Sequence, residues 1–107
     1  LRRAGAADRA HLTAAVQGEF GAAWAFEVER ALDASPVAVH LAIVGDELAA
    51  FAAHDGNNRG LGWFGPAGTW PAHRGKGLGR ALLLACLADV AASGDARFAR
   101  AAVPTGA

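Results

Sequence analysis

Apolar residues recur at helical spacing through the first third of the chain. Two sets of three are each spaced four residues apart: Leu12, Val16 and Phe20, followed by Trp24, Val28 and Leu32. This spacing predicts two amphipathic helices, over about 6–18 and about 22–33, joined where Gly18 and Gly21 loosen the chain. Residues 1–4 precede them as a candidate short strand.

The pattern changes to strict alternation after Pro36, which ends the second helix. Apolar side chains then occupy every second position, at Val37, Val39, Leu41 and Ile43. A period of two predicts a strand, with His40 on the opposite face among alanines. Because Gly45-Asp46 is a turn signal, we expect residues 48–54 to return antiparallel as the second strand of a hairpin.

A third strand is predicted over 61–70, but its composition is unusual. Pro66 cannot donate to a sheet ladder, and glycines interrupt the segment, so we expect a bulge or a splayed edge there. A helix is predicted over about 78–92, with Leu83, Leu87 and Val90 as its apolar stripe and Gly94 as its C-cap, and a last strand over 97–103. The order β-α-α-β-β-β-α-β predicts one α/β domain over 1–107, built on a mixed sheet.

Composition narrows the function classes. The 107 residues are 53% hydrophobic and carry no formal net charge, so we expect no nucleic-acid partner. No apolar run approaches the roughly 20 residues of a membrane span, so we expect no membrane partner. Cys86, the single cysteine, rules out an internal disulfide, is expected to be buried, and favours a reducing, cytoplasmic compartment. Methionine is absent, which suggests a piece of a longer protein.

A basic, glycine-rich segment joins the third strand to its helix. It comprises Arg74, Gly75, Lys76, Gly77, Leu78, Gly79 and Arg80. A glycine loop entering a helix N-terminus favours phosphate, because the first helical N–H groups have no intrahelical partners. The triphosphate loop needs a hydroxyl residue where Gly77 stands, and the dinucleotide fingerprint needs a third glycine where Arg80 or Leu82 stands, so both are excluded.

The remaining pattern is R-x-x-G-x-G, filled by Arg74, Gly77 and Gly79. With Thr69-Trp70-Pro71 before it and a leucine-rich helix after it, the segment over about 69–93 resembles the acetyl-CoA motif of the GNAT superfamily of N-acetyltransferases. The resemblance implies acetyl-CoA as co-substrate, a pyrophosphate held by 74–80, and pantetheine met by the Thr69 backbone. It also implies that the final helix and strands of the fold lie beyond this chain. The alternative to a CoA-binding loop is a glycine-rich connection that only caps the helix.

The same resemblance implies attack of an amine on the thioester, which requires a base and an acid. The candidate bases are Glu27, Glu29, His40, His54 and Asp55, while the tyrosine that often serves as acid is absent, so the catalytic residues stay unassigned. Trp24, Trp63 and Phe64 fit either an acceptor pocket or the core. His and Cys spacing indicates no metal site.

Three functions follow from this sequence. The first is an N-acetyltransferase acting on a primary amine of a small molecule, amino acid or peptide. The second is a non-catalytic acyl-CoA-binding module, such as the inactive half of a tandem acetyltransferase, and the third is a phosphate-binding structural domain. A homodimer or a tandem arrangement is compatible with the first two.

Overall fold

A computed structural model describes residues 1–54 and 64–93. Within them the regular elements are β1 (Arg2–Arg3), α1 (Arg9–Phe20), α2 (Ala22–Leu32), β2 (Val39–Val44), β3 (Glu47–His54), β4 (Phe64–Thr69) and α3 (Leu78–Ser93). Short 3₁₀ turns at Ala6–Asp8 and Pro71–His73 lead into α1 and into the glycine loop. The predicted order of elements is confirmed as far as α3, and so is the α/β fold class.

The four described strands form one antiparallel sheet in the order β1-β2-β3-β4. Gly45 makes the hairpin turn between β2 and β3 with φ +62°, a left-handed conformation that favours glycine. In this register His40 pairs with Ala52 on β3 and with Arg3 on β1. Arg3 and His40 are therefore direct cross-strand neighbours.

The sheet separates two apolar clusters. One packs α1 and α2 against one face, and its fully buried members include Leu12, Val16, Val28, Leu41 and Phe51. The other packs α3 against the opposite face, where Ala42, Ala50 and Ala52 meet Leu82, Cys86 and Val90. Since alanines on the sheet leave room for a close helix, the small side chains bring α3 near the strands.

The predicted bulge in the third strand is confirmed. Ala52 pairs with Ala67 and His54 pairs with Phe64, so β4 uses one more residue than β3 over the same stretch. The extra residue falls at Gly65-Pro66, where Gly65 has φ +120°. The composition that weakened this strand prediction therefore marks a local irregularity rather than the absence of a strand.

The predicted apolar stripe of α3 was right at Val90 and wrong by one position at Leu83 and Leu87. Leu82, Cys86 and Val90 face the sheet, whereas Leu83 and Leu87 are only partly buried and Leu84 is 56% exposed. Because Leu82, Leu83 and Leu84 are equally apolar, hydrophobicity alone does not fix the rotation of this helix about its axis. The burial predicted for Cys86 is confirmed.

Other boundaries moved by small amounts. β2 begins at Val39 rather than Val37, and α1 continues to Phe20. The predicted loop at 56–60, the Gly94 cap and the strand at 97–103 lie outside the described residues, as do Asp55 and Trp63. Over the ranges 1–54 and 64–93, we find no helix with both the length and the apolar content that crossing a bilayer demands.

Candidate functional site

The glycine loop lies between the Pro71–His73 turn and α3, with its backbone open to solvent. Gly75 and Gly77 have φ +83° and +76°, in the left-handed region that L side chains rarely adopt. A Cβ built on either glycine meets no atom within 4 Å. These two positions combine a backbone that requires glycine with open space beside it, which lets a ligand approach the main chain closely.

The loop leads directly into the first turn of α3. The Ala81 N–H donates to the Gly77 carbonyl at 3.2 Å, so the helical hydrogen-bond pattern starts there. The amides of the preceding residues 78–80 have no carbonyl one turn earlier in the helix to bond. Together with the helix dipole they give this end of α3 a partial positive charge suited to an anion.

Two of the three cations of the loop are held by neighbouring groups. Arg74 Nε donates to the Thr69 carbonyl at 3.1 Å, which joins the loop to the end of β4. Lys76 Nζ donates to Nδ1 of the buried His73 at 3.1 Å, and His73 Nε2 faces Glu47 Oε1 at 3.4 Å. The side chain of Arg80 is exposed. The eight residues that the sequence singled out therefore lie at the end of β4 (Thr69) and in the following loop and first turn of α3 (74–80).

Four aromatic rings pack on the α1 and α2 face beside that end of β4. The Phe20 ring lies 5.1 Å from Trp24, 5.3 Å from Trp70 and 5.8 Å from Phe51, measured between centroids. Phe64, by contrast, packs against the α3 cluster on the opposite face. Trp24 and Phe64 therefore belong to the two separate cores and do not share a pocket.

The candidate bases fall on different faces of the sheet. Glu27 and Glu29 lie on α2, with Glu29 exposed and Glu27 partly exposed. His40 and His54 turn toward α3, where both are 8% exposed and both approach Asp89. Of the described candidates, only the two glutamates are therefore on the α1 and α2 face.

Three side chains from the sheet contact the carboxylate of Asp89. His40 Nε2 lies 2.8 Å and His54 Nε2 3.1 Å from Asp89 Oδ2, and Arg3 binds both carboxylate oxygens at 2.7 Å. We call Arg3, His40, His54 and Asp89 the Asp89 cluster. It connects α3 to three strands, β1, β2 and β3.

The electrostatics of the cluster keep Asp89 ionised. Burial on its own would raise the pKa of Asp89, but hydrogen bonds from Arg3, His40 and His54 outweigh it and leave that pKa well below its ordinary value. Burial, reinforced by the nearby Asp89 charge, raises the pKa of Cys86 to about 12. The Cys86 thiol is therefore protonated at neutral pH and is no nucleophile.

The sequence contains a signal for this cluster, but the spacing of His and Cys along the chain does not reveal it. Asp89 falls seven residues after Leu82 and three after Cys86, which places it on the sheet-facing side of α3. His40 and His54 are the polar residues on a strand face otherwise made of alanines. Only the antiparallel register of β2 and β3 brings these distant positions together.

Comparison with known proteins gives one match. A family model described as the Acetyltransferase (GNAT) family matches residues 9–105, which is most of the chain. A search of the curated proteins and a search of the solved structures each returned no significant match.

Proposed function

Because the chain belongs to the acetyltransferase (GNAT) family, we propose that it transfers an acetyl group from acetyl-CoA to a primary amine of a small molecule, amino acid or peptide. Membership of the family supports acyltransferase activity in general. The acyl donor, the acceptor class and the residues that bind them are inferred here from the glycine loop and its surroundings.

The loop geometry supports a pyrophosphate at 74–80. Gly75 and Gly77 leave the space above their backbone clear, and the α3 N-terminus directs amides and partial positive charge toward it. Arg74, Lys76 and Arg80 add three cations beside the same segment. This combination of an open left-handed backbone with a helix N-terminus is the observation that carries the proposal.

Arg74 lies beside the backbone where the pantetheine arm is proposed to bind. Its guanidinium donates to the Thr69 carbonyl, at the position where the resemblance places the pantetheine arm. Because a carbonyl oxygen has two lone pairs, it can accept from Arg74 and from a pantetheine N–H at the same time. Arg74 therefore links the proposed pantetheine position to the loop that is proposed to hold the pyrophosphate.

The reaction itself is direct transfer. The amine nitrogen attacks the thioester carbonyl carbon, a C–N bond forms and the C–S bond breaks. A base takes the amine proton, and the CoA thiolate takes up a proton as it leaves. Since His40 and His54 are bound to Asp89 beneath α3, Glu27 and Glu29 on α2 are the described candidates for the base.

A thiol-release assay tests the activity. The purified protein is incubated with acetyl-CoA and a panel of small amines, amino acids and peptides, and free CoA thiol is measured against time. We expect amine-dependent release with at least one acceptor class. Tight binding of CoA with no acetylation of any amine would replace this proposal with the binding-module function.

A further inference from the structure

We infer that the Asp89 cluster is a binding site for one divalent transition-metal ion of the zinc type, held by His40, His54 and Asp89. This site is separate from the glycine loop. Asp89 lies 11 residues along α3 from Leu78, or about 16 Å at helical rise. The inference therefore stands or fails independently of the proposed acetyl transfer.

One oxygen of the cluster, Asp89 Oδ2, has more nitrogen neighbours than it can pair with. Asp89 Oδ2 faces three nitrogen atoms: one Arg3 guanidinium nitrogen at 2.7 Å, His40 Nε2 at 2.8 Å and His54 Nε2 at 3.1 Å. A carboxylate oxygen has two lone pairs, so Oδ2 has one more nitrogen neighbour than it has lone pairs. Oδ1 receives the second Arg3 nitrogen at 2.7 Å, so the surplus is concentrated on Oδ2.

A metal ion removes this surplus. Both Nε2 atoms would then direct lone pairs, rather than protons, toward the ion. One lone pair of Asp89 Oδ2 would complete the set, and the other would stay with Arg3. Two imidazoles and one carboxylate are a donor set that zinc accepts, and a fourth tetrahedral position remains for water.

The distances fit this interpretation. The three ligand atoms lie within 4.8 Å of one another. Around a tetrahedral ion with bonds of about 2.0–2.2 Å, ligand atoms are separated by about 3.3–3.6 Å. On ion binding, the present N···O separations of 2.8 Å at His40 and 3.1 Å at His54 would widen by about 0.5–0.8 Å and about 0.2–0.5 Å, changes within reach of side-chain torsions.

The surroundings resemble those of a built site. His40 and His54 are each 8% exposed, so the ligands are largely shielded from water. Arg3 fixes the Asp89 carboxylate through two hydrogen bonds, the kind of outer partner that orients a ligating carboxylate. An ion there would join α3 to β2 and β3 through its three ligands.

Metal titration tests the inference. Tag-free protein is stripped with a chelator and titrated with Co²⁺, followed by Zn²⁺ in competition. We expect one equivalent of Co²⁺ to give the visible absorption of tetrahedral coordination, and Zn²⁺ to displace it. Zn²⁺ should also raise the melting temperature, because it binds the folded state preferentially.

Two variants locate the site. His54→Gln removes a ligand, and we expect Co²⁺ affinity to fall at least about 100-fold, since even outer partners are worth about 10–100-fold. His11→Gln, on the exposed surface of α1, should bind like the wild type. Circular dichroism checks that each variant is folded.

Two results would overturn the inference. One is wild-type protein that gives neither the Co²⁺ absorption nor competition by Zn²⁺, which would make the four residues a closed ion-pair network. The other is unchanged Co²⁺ absorption in folded His54→Gln protein, which would place the ion elsewhere. The wild-type titration decides the question even if His54→Gln does not fold.

Discussion

Gly68, in β4, lies directly beneath the ring of Phe20 in α1. A Cβ built on Gly68 would fall 2.6 Å from Phe20 Cζ and within 3.0 Å of two further ring atoms. Phe20 cannot easily give way, because it packs among Trp24, Phe51 and Trp70. The glycine is thus required by a close approach of strand and ring, not by its backbone angles.

We expect Gly68→Ala to lower the free energy of unfolding by about 1–3 kcal/mol, the usual result of overpacking. Gly18→Ala is the matched control, since Gly18 lies on the exposed side of α1 with no atom within 4 Å of its added Cβ. That change should stabilise the protein by about 0.5–1 kcal/mol. Urea unfolding measures both, and equal effects of the two substitutions would contradict the assigned packing.

Residue-level prediction from the sequence succeeded where a residue's own chemistry decides its place. Cys86 was expected in the core and is there, and Gly65-Pro66 was expected to disturb its strand and does so. It failed where two neighbours are chemically alike, as with Leu82 and Leu83 in α3. Packing against Ala50 and Ala52 chooses between such neighbours, and the helix pattern alone contains no information about that partner.

At the scale of elements, the connection from β4 to α3 is the segment where we propose that CoA binds. Gly77 accepts the first helical hydrogen bond of α3 with φ +76°, and its Cβ direction is open. Gly45, in the β2–β3 turn, has a similar φ of +62° and equally open space. A side chain added at either glycine would meet similar backbone strain, but only Gly77 lies in the loop. Substitutions at the two positions can therefore be compared directly.

Gly77→Asp should weaken CoA binding by at least about tenfold, because it sets a carboxylate where the pyrophosphate is proposed to lie. Gly45→Asp introduces the same side chain at a comparable backbone angle, and its CoA affinity should match the wild type. Isothermal titration calorimetry with CoA measures all three proteins. Unchanged affinity in Gly77→Asp would place the phosphates away from this loop.

The place of the glycine loop before α3 was predictable because the residues that define it are consecutive in the chain. Arg74, Gly77 and Gly79 stand within six residues, and the proline and helix that frame them are adjacent in the chain. The Asp89 cluster draws on Arg3, His40, His54 and Asp89, which span almost the whole described chain. Strand register and helix rotation bring these together, and both are tertiary properties that local patterns do not specify.

For the whole molecule, the sheet separates two layers that contain different candidate sites. The α1 and α2 layer has the four-ring aromatic cluster and the two glutamates, while the α3 layer contains the Asp89 cluster. The glycine loop lies where β4 passes into α3. A site for acyl-CoA at that junction and a metal site within the α3 layer can therefore be tested separately in one protein.

The central claim is that the glycine loop binds the pyrophosphate of an acyl-CoA, and melting temperature against ligand concentration tests it most directly. We predict that CoA raises the melting temperature, with about 1.4 kcal/mol of added stability for each tenfold rise above the dissociation constant. Pantetheine, which has no pyrophosphate, should give a much smaller shift at the same concentrations. A melting temperature unchanged by CoA at about 1 mM, or an equal response to pantetheine, would contradict the claim.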